Sequence, residues 1–151
     1  MKTKTICVSS VFPATPDKIW SIIGNLDTLR YIAAPYAYFT PLDTSNALVW
    51  HKGETTQFYL KVFGIIPMGT HTIKIIAFDK GNYYIASEEK NHVVFIWNHQ
   101  IHLKPTANGT ALYEDAVEIG AGWKTNLVCV WSKMFYRHRQ RKWRKLLSRK
   151  D

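Results

Sequence analysis

The feature that most limits what this chain can become is a change of period. From Tyr36 to Ile119 apolar and polar residues alternate with a period of two, and after Gly120-Ala121-Gly122 neither glycine nor proline occurs again before Asp151. Alternation places successive side chains on opposite faces of a strand. It predicts strands near 36–42, 46–51, 54–63, 69–78, 82–89, 92–104 and 110–119. Turn-forming residues separate them at Asp43 to Asn46, Lys52-Gly53, Gly64 to Gly69, Asp79 to Asn82 and Thr106 to Gly109. Such a run is a long antiparallel meander. In the tail, Leu127, Trp131, Met134, Phe135 and His138 recur at helical spacing. About 26 residues at ~1.5 Å each make a helix of roughly 35 to 40 Å.

Ahead of the meander, residues 5–12 alternate well enough to form a strand that Pro13 closes. Thr15-Pro16-Asp17 then supplies a capping hydroxyl, a proline for the first helical position and an acid for the first turn. Ile19, Trp20, Ile22 and Ile23 give that helix its apolar stripe, Gly24-Asn25 ends it, and a second short helix fits residues 26–33, before Pro35. The expected fold is therefore α+β: a curved antiparallel sheet wrapped around a long C-terminal helix, with two short helices after the first strand. At 151 residues, with no internal repeat or linker, a single domain over 1–151 is expected. A curved sheet gripping one helix leaves space between them, and an apolar cleft of this kind is the default ligand site.

Composition removes several alternatives. With 46% apolar and 21% charged residues the chain is neither disordered nor low in complexity. Its cleanest apolar run, Val93 to Trp97, has the length of a strand and not of a membrane span. The segment after Lys2 and Lys4 is short, holds two serines and lacks a small-x-small cleavage site, so no signal peptide is expected and a cytoplasmic location is. Cys7 and Cys129 both lie in apolar segments and are expected to act as small core residues. The formal charge of +9 is concentrated: residues 133–151 hold nine Lys or Arg against one Asp. The basic end reads as a solvated face, or as one that offers Arg137, Arg141 and Arg144 to an anionic membrane surface or an acidic ligand group. A basic stretch with Trp143 but no groove-reading motif gives little reason to expect nucleic acid.

Alternation also sorts the strands into faces. In 92–104 the more apolar row is Val93, Phe95, Trp97, His99, Ile101 and Leu103; in 69–78 it is His71, Ile73 and Ile75; in 110–119 it is Ala111, Tyr113, Asp115, Val117 and Ile119. These registers gather His71, His99, Tyr113 and Asp115 into a polar group inside a chamber lined by Trp50, Phe58, Phe95, Trp97 and Met134. An Asp–His pair there satisfies itself and specifies the core, anchors the polar part of a ligand, or works as an acid–base pair. His71, His99 and Asp115 formally offer a two-His, one-carboxylate set, but nothing in the spacing fixes three ligands on one face. His99 and His102 sit three apart on a strand and so face opposite ways. HExxH, CxxC, P-loop and GxGxxG are all absent, and no metal or cofactor is expected. The apolar loop Phe63 to Gly69 reads either as tucked against the long helix or as a lid over the chamber.

Both the order of elements and several local motifs resemble the SRPBCC superfamily of START-like, helix-grip proteins. The motifs are Phe12-Pro-Ala-Thr-Pro-Asp-Lys-Ile-Trp20, Gly64-Ile-Ile-Pro-Met-Gly-Thr-His71, Trp97-Asn-His99, Gly109-Thr-Ala-Leu-Tyr-Glu-Asp115 and Phe135-Tyr-Arg-His-Arg-Gln-Arg-Lys-Trp143. The likeness runs through essentially the whole chain and is closest to small bacterial ligand-binding or polyketide cyclase/dehydrase-like members. It implies a fold and a cavity, not a reaction. The expected function is binding, and by extension transport, of a hydrophobic or amphipathic molecule such as a lipid, polyketide or aromatic metabolite. The rival is a cyclase, dehydratase or isomerase in which His99, held by Asp115, moves a proton while Tyr113 or His71 donates to a developing oxyanion.

Overall fold

The computed structural model describes residues 1–42 and 49–149. Along the chain lie β1 (Lys4–Phe12), α1 (Pro16–Ile23), α2 (Leu26–Ala33), β2 (Ala37–Pro41), β3 (Thr55–Val62), β4 (Ile66–Asp79), β5 (Tyr84–Lys90), β6 (Ile96–Thr106), β7 (Thr110–Gly120) and α3 (Thr125–Leu147). The strands form one seven-stranded antiparallel sheet in the order β1-β7-β6-β5-β4-β3-β2. β1 pairs with the last strand, from Lys4 opposite Ile119 to Phe12 opposite Ala111, so the helical pair after β1 must cross to the far edge before β2 begins. This is the helix-grip arrangement, with α3 lying in the concave side.

Local chemistry explains the element ends. Thr15 Oγ1 accepts the Lys18 amide at 3.3 Å and Pro16 takes the first helical position, which starts α1 as the sequence predicts. Before α3, Thr125 Oγ1 accepts the Ala121 amide at 2.9 Å and donates to the Gly122 carbonyl at 2.7 Å. Gly122 has φ +61°, a conformation in which a side chain would be strained. The α3 helix is 23 residues long, or roughly 35 Å at 1.5 Å per residue.

The strand expected at 46–51 is corrected in part. Val49 makes only an isolated bridge to Asn25, and the Trp50 amide donates to Gly24 O at 2.8 Å, so this stretch caps the end of α1 and does not join the sheet. The remainder of that expected strand, and the turn at Asp43 to Asn46, lie outside the described residues. Cys129 is buried as expected, whereas Cys7 is exposed on the outer face of β1. Phe63 and Gly64, both at positive φ, make a tight turn closed by the Ile65 amide on Val62 O at 3.3 Å. The apolar segment is thus the β3–β4 hairpin tip: Phe63 packs on Tyr36 with ring centroids 5.3 Å apart, and Ile65 stands in solvent.

α3 is tied to the sheet by polar groups as well as by packing. Gln140, almost wholly buried, donates to Val8 O at 2.8 Å and to Asp115 Oδ2 at 2.9 Å, and its Oε1 accepts the Ser10 hydroxyl at 2.6 Å. Trp97 Nε1 donates to the Tyr136 hydroxyl at 2.9 Å. The His138 ring donates to Ala34 O at 2.6 Å, which holds the end of α2 against the helix. One end of the grip is plugged by Phe12, Tyr113 and Trp143, with Phe12 centroids 4.7 Å from Tyr113 and 6.0 Å from Trp143. Among the described residues no helix is long and apolar enough to cross a membrane.

Candidate functional site

Between the concave face of the sheet and α3 lies a cavity of about 420 Å³. Its walls are mostly apolar: Phe39, Leu60, Ile73 and Ile75 from the β2–β4 side, Trp97 and Ile101 from β6, and Trp131, Phe135 and Trp143 from the helix. Phe63, Ile66 and Leu127 also line it while remaining largely exposed, which puts its mouth between the β3–β4 hairpin tip and the start of α3.

A band of polar groups crosses the inner wall. Asn91 Oδ1 accepts the amides of Val93 and Val94, both at 2.9 Å, so its Nδ2 faces His71 Nδ1 at 3.0 Å. His71 Nδ1 is therefore an acceptor, and the proton sits on Nε2, which donates to Glu89 Oε1 at 2.9 Å. The other Glu89 oxygen accepts the Ser87 hydroxyl at 2.7 Å and lies 3.9 Å from His99 Nδ1. His99 Nε2 donates to Asp115 Oδ1 at 2.6 Å; the Tyr113 hydroxyl donates to the same oxygen at 3.3 Å, and Gln140 takes Oδ2. The band thus runs from β4 through β5 and β6 to β7 and on to α3.

Burial raises the pKa of Glu89, but the His71 hydrogen bond, the electrostatic attraction of the nearby His71 and His99 rings and the Ser87 hydroxyl outweigh it and hold the carboxyl below its ordinary value. Burial, reinforced by Asp115, pushes the Tyr113 phenol well above its ordinary value, and burial does the same to Tyr136. For Arg139, burial favours loss of the proton, but the groups around it, with the Asp115 and Glu89 carboxylates supplying the negative charge, outweigh that and hold its pKa above the ordinary value.

Of the residues expected to face the chamber, Trp50, His71, Trp97 and His99 do line the cavity. Phe58 is fully buried but stands behind the wall, packed on Phe39 and Trp50 with centroids 5.7 and 5.8 Å away. Tyr113 and Asp115 are buried one layer further in: Asp115 bonds His99 and Gln140, and Tyr113 bonds Asp115 and packs on Phe12 and Trp143, neither facing the open space. Two expectations are corrected. Phe95 is 52% exposed, because β6 begins only at Ile96; the loop before it turns Val94, not Phe95, into the interior. Met134 is 48% exposed, since at about 100° per residue it lies roughly 140–160° around α3 from the buried stripe of Cys129, Ser132, Tyr136 and Arg139.

The sequence reading missed Glu89 and Arg139, and both had signals. Glu89 shares strand parity with Ile85 and Ser87, the inward row of β5. Arg139 is four residues from both Phe135 and Trp143, on the buried stripe of α3, although it lies within a run of cations. His71 and Asp115 engage different carboxylate and imidazole partners, and among the described residues no three metal-ligating side chains converge.

The backbone is similar to that of truncated norcoclaurine synthase from Thalictrum flavum, with a TM-score of 0.73 at 14% identity over 99% of this chain and 96% of that one. It is similar too to a START superfamily protein from Mycobacterium smegmatis, with a TM-score of 0.72 at 9% identity over 95% of this chain and 96% of that one. Ara h 8.0201 gives a TM-score of 0.70 at 14% identity over 97% and 98% of the two chains. Identities this low speak for the fold alone, which is that of the START-like, helix-grip proteins. No sequence match is found among curated proteins. At the level of sequence, residues 10–147 match the model of one family, described as "Domain of unknown function (DUF8410)", and the chain belongs to that family.

Proposed function

We propose that the protein is a single ligand-binding domain that encloses a hydrophobic or amphipathic small molecule, of the class of lipids, polyketides or aromatic metabolites, in the cavity under α3. The observation that carries this is the volume itself. Protein interiors pack like organic crystals, with few voids larger than a water molecule. Were about 420 Å³ sealed and dry, a cavity term of ~24 cal/mol per Å³ would forfeit about 10 kcal/mol, comparable with the whole stability of a domain. A mouth at the hairpin tip relieves that cost through solvent, and an apolar guest relieves it further by releasing the solvent. The polar band would orient the guest through His71 and His99.

The test is mass spectrometry of the purified protein under native and then denaturing conditions. A reproducible mass excess that disappears on denaturation, with the released molecule apolar or amphipathic, is the expected outcome. A bare protein that also takes up no apolar probe when one is offered sinks the proposal.

One arrangement favours a second reading, an enzyme of cyclase, dehydratase or isomerase type. His99 is on the cavity wall with Asp115 behind it at 2.6 Å, the relation in which a carboxylate fixes an imidazole for proton transfer. Under that reading His99→Ala removes turnover of a bound carbonyl-rich substrate and leaves its affinity nearly intact; loss of affinity alone returns the site to binding.

A further inference from the structure

The polar band leaves one charge over. Both carboxylates facing the interior are saturated by other partners: Glu89 by His71 and Ser87, Asp115 by His99, Tyr113 and Gln140. Arg139 is only 8% exposed and lines the cavity, yet among the described residues it makes no ion pair, and its Nε has no hydrogen-bond partner. Its guanidinium rests over the rings of Tyr136 and Phe135, with centroids 5.1 and 5.6 Å away. Trp131 Nε1 and Ser132 Oγ are also buried without partners, but those groups are neutral and cost less to leave so. The Asp115 and Glu89 carboxylates act on this cation from a distance, but with no direct ion pair much of the cost of taking it out of water stays uncompensated. The aromatic faces compensate part of that cost, and they hold the planar fork in place.

Resting on the cavity-binding reading above, we propose that the ligand is an anionic amphiphile whose single carboxylate pairs with Arg139 while its apolar body fills the rest of the cavity. A guanidinium presents parallel N–H donors that match a carboxylate, and the pair is strengthened where water is excluded. The position of Arg139 on α3 suits this, since it lies three turns beyond Leu127 at the mouth and one turn short of Trp143 at the plugged end. A carboxylate enters head first and the apolar chain trails back toward Phe63 and Ile66. The tenfold preference such a pairing implies concerns the head group alone, because the walls along the way are apolar.

Decanoate and decan-1-ol share one apolar body and differ in the head, and each is titrated against the full chain by displacement of the neutral fluorophore N-phenyl-1-naphthylamine. Wild type is expected to bind decanoate about tenfold or more tighter than decanol, as expected for a desolvated charge-assisted pair. Arg139→Gln is expected to erase that preference, bringing the two affinities to within about threefold of each other whatever happens to both in common. Arg139→Met, which keeps the stem that packs on Phe135, serves as a second variant, with far-UV circular dichroism as the check on folding. Equal binding of the two probes to wild type overturns the inference and leaves the cavity reading standing, as does a preference that survives in a folded Arg139 variant. If neither probe nor fluorophore binds wild type, the cavity reading falls and this inference with it.

Discussion

Asp115→Asn perturbs the junction where the sheet grips the helix, and its cost follows from the hydrogen-bond pattern. Asparagine keeps one oxygen for His99 and Tyr113, but its NH₂ replaces the Oδ2 that now accepts Gln140 Nε2 at 2.9 Å. Two donors then face each other. Gln140 cannot turn its amide over to relieve this, because Nε2 also donates to Val8 O and Oε1 accepts the Ser10 hydroxyl. A buried donor left unsatisfied costs about 1–3 kcal/mol, and loss of the charge-assisted character of the His99 bond adds about 1 kcal/mol. The sum is about 3 kcal/mol, which for a chain of this size lowers Tm by about 6–12 °C. Thermal unfolding followed by far-UV circular dichroism at neutral pH reads the shift, and urea unfolding with an unchanged slope checks that the native state has not expanded. Glu88→Gln, on the exposed side of β5, is the control and should stay within about 0.5 kcal/mol of wild type. If Asp115→Asn unfolds within about 2 °C of wild type, the Asp115–Gln140 contact does not hold the helix as argued.

Glu89 supplies a pH dependence of definite sign. Its carboxyl titrates lower in the folded chain than its ordinary value of 4.5, so it contributes stability that is fully present above that value and lost as pH falls through the depressed folded value. Urea midpoints measured between neutral and acid pH should fall less steeply for Glu89→Gln than for wild type; parallel curves would remove Glu89 from the account. Phe95→Ala and Met134→Ala should leave both stability, within about 0.5 kcal/mol, and uptake of N-phenyl-1-naphthylamine unchanged. Trp97→Ala, which strips a cavity wall and orphans the Tyr136 contact, should cost about 3–5 kcal/mol and weaken uptake; equal behaviour of the three variants would mean the inner face is misassigned.

The fold was legible because its signals are local. Alternation in β3 to β7, the Thr15-Pro16 start of α1 and the turn-forming Gly120 to Gly122 each act over a few residues, and the observed elements follow them closely. Strand parity also placed His71, Tyr113 and Asp115 in the interior, because no bulge interrupts β7 or β4 between Gly69 and Ile75. Parity fails where the register shifts. Between Ile75 and Ala77 an extra residue shifts the phase, so that Phe78 and not Ala77 reaches the cavity, and in the loop ahead of Ile96 Val94 and not Phe95 does so. Pairings between distant residues were less legible. The partner of His99 could be inferred from two strands, whereas that of His71 is a glutamate beside an exposed one: parity with Ile85 and Ser87 separates Glu89 from Glu88, but only the three-dimensional register pairs it with His71. Arg139 was hidden by its neighbours: in a helix carrying cations on its outer side, the one on the buried stripe differs in phase and not in type.

The central claim is that the space beneath α3 is a binding chamber, and filling it tests that claim most directly. Ile73 is 5% exposed and lines the cavity from β4; it pairs across the sheet with Glu89, but its apolar side chain makes none of the polar band's hydrogen bonds. Ile73→Trp projects an indole into the open volume, at a stability cost of about 1–3 kcal/mol if the added atoms are not fully accommodated. Titration of N-phenyl-1-naphthylamine should give saturable one-to-one binding to wild type and little or none to a folded Ile73→Trp variant. Equal binding to both, or binding to wild type that never saturates, would place the probe on the surface and contradict the account.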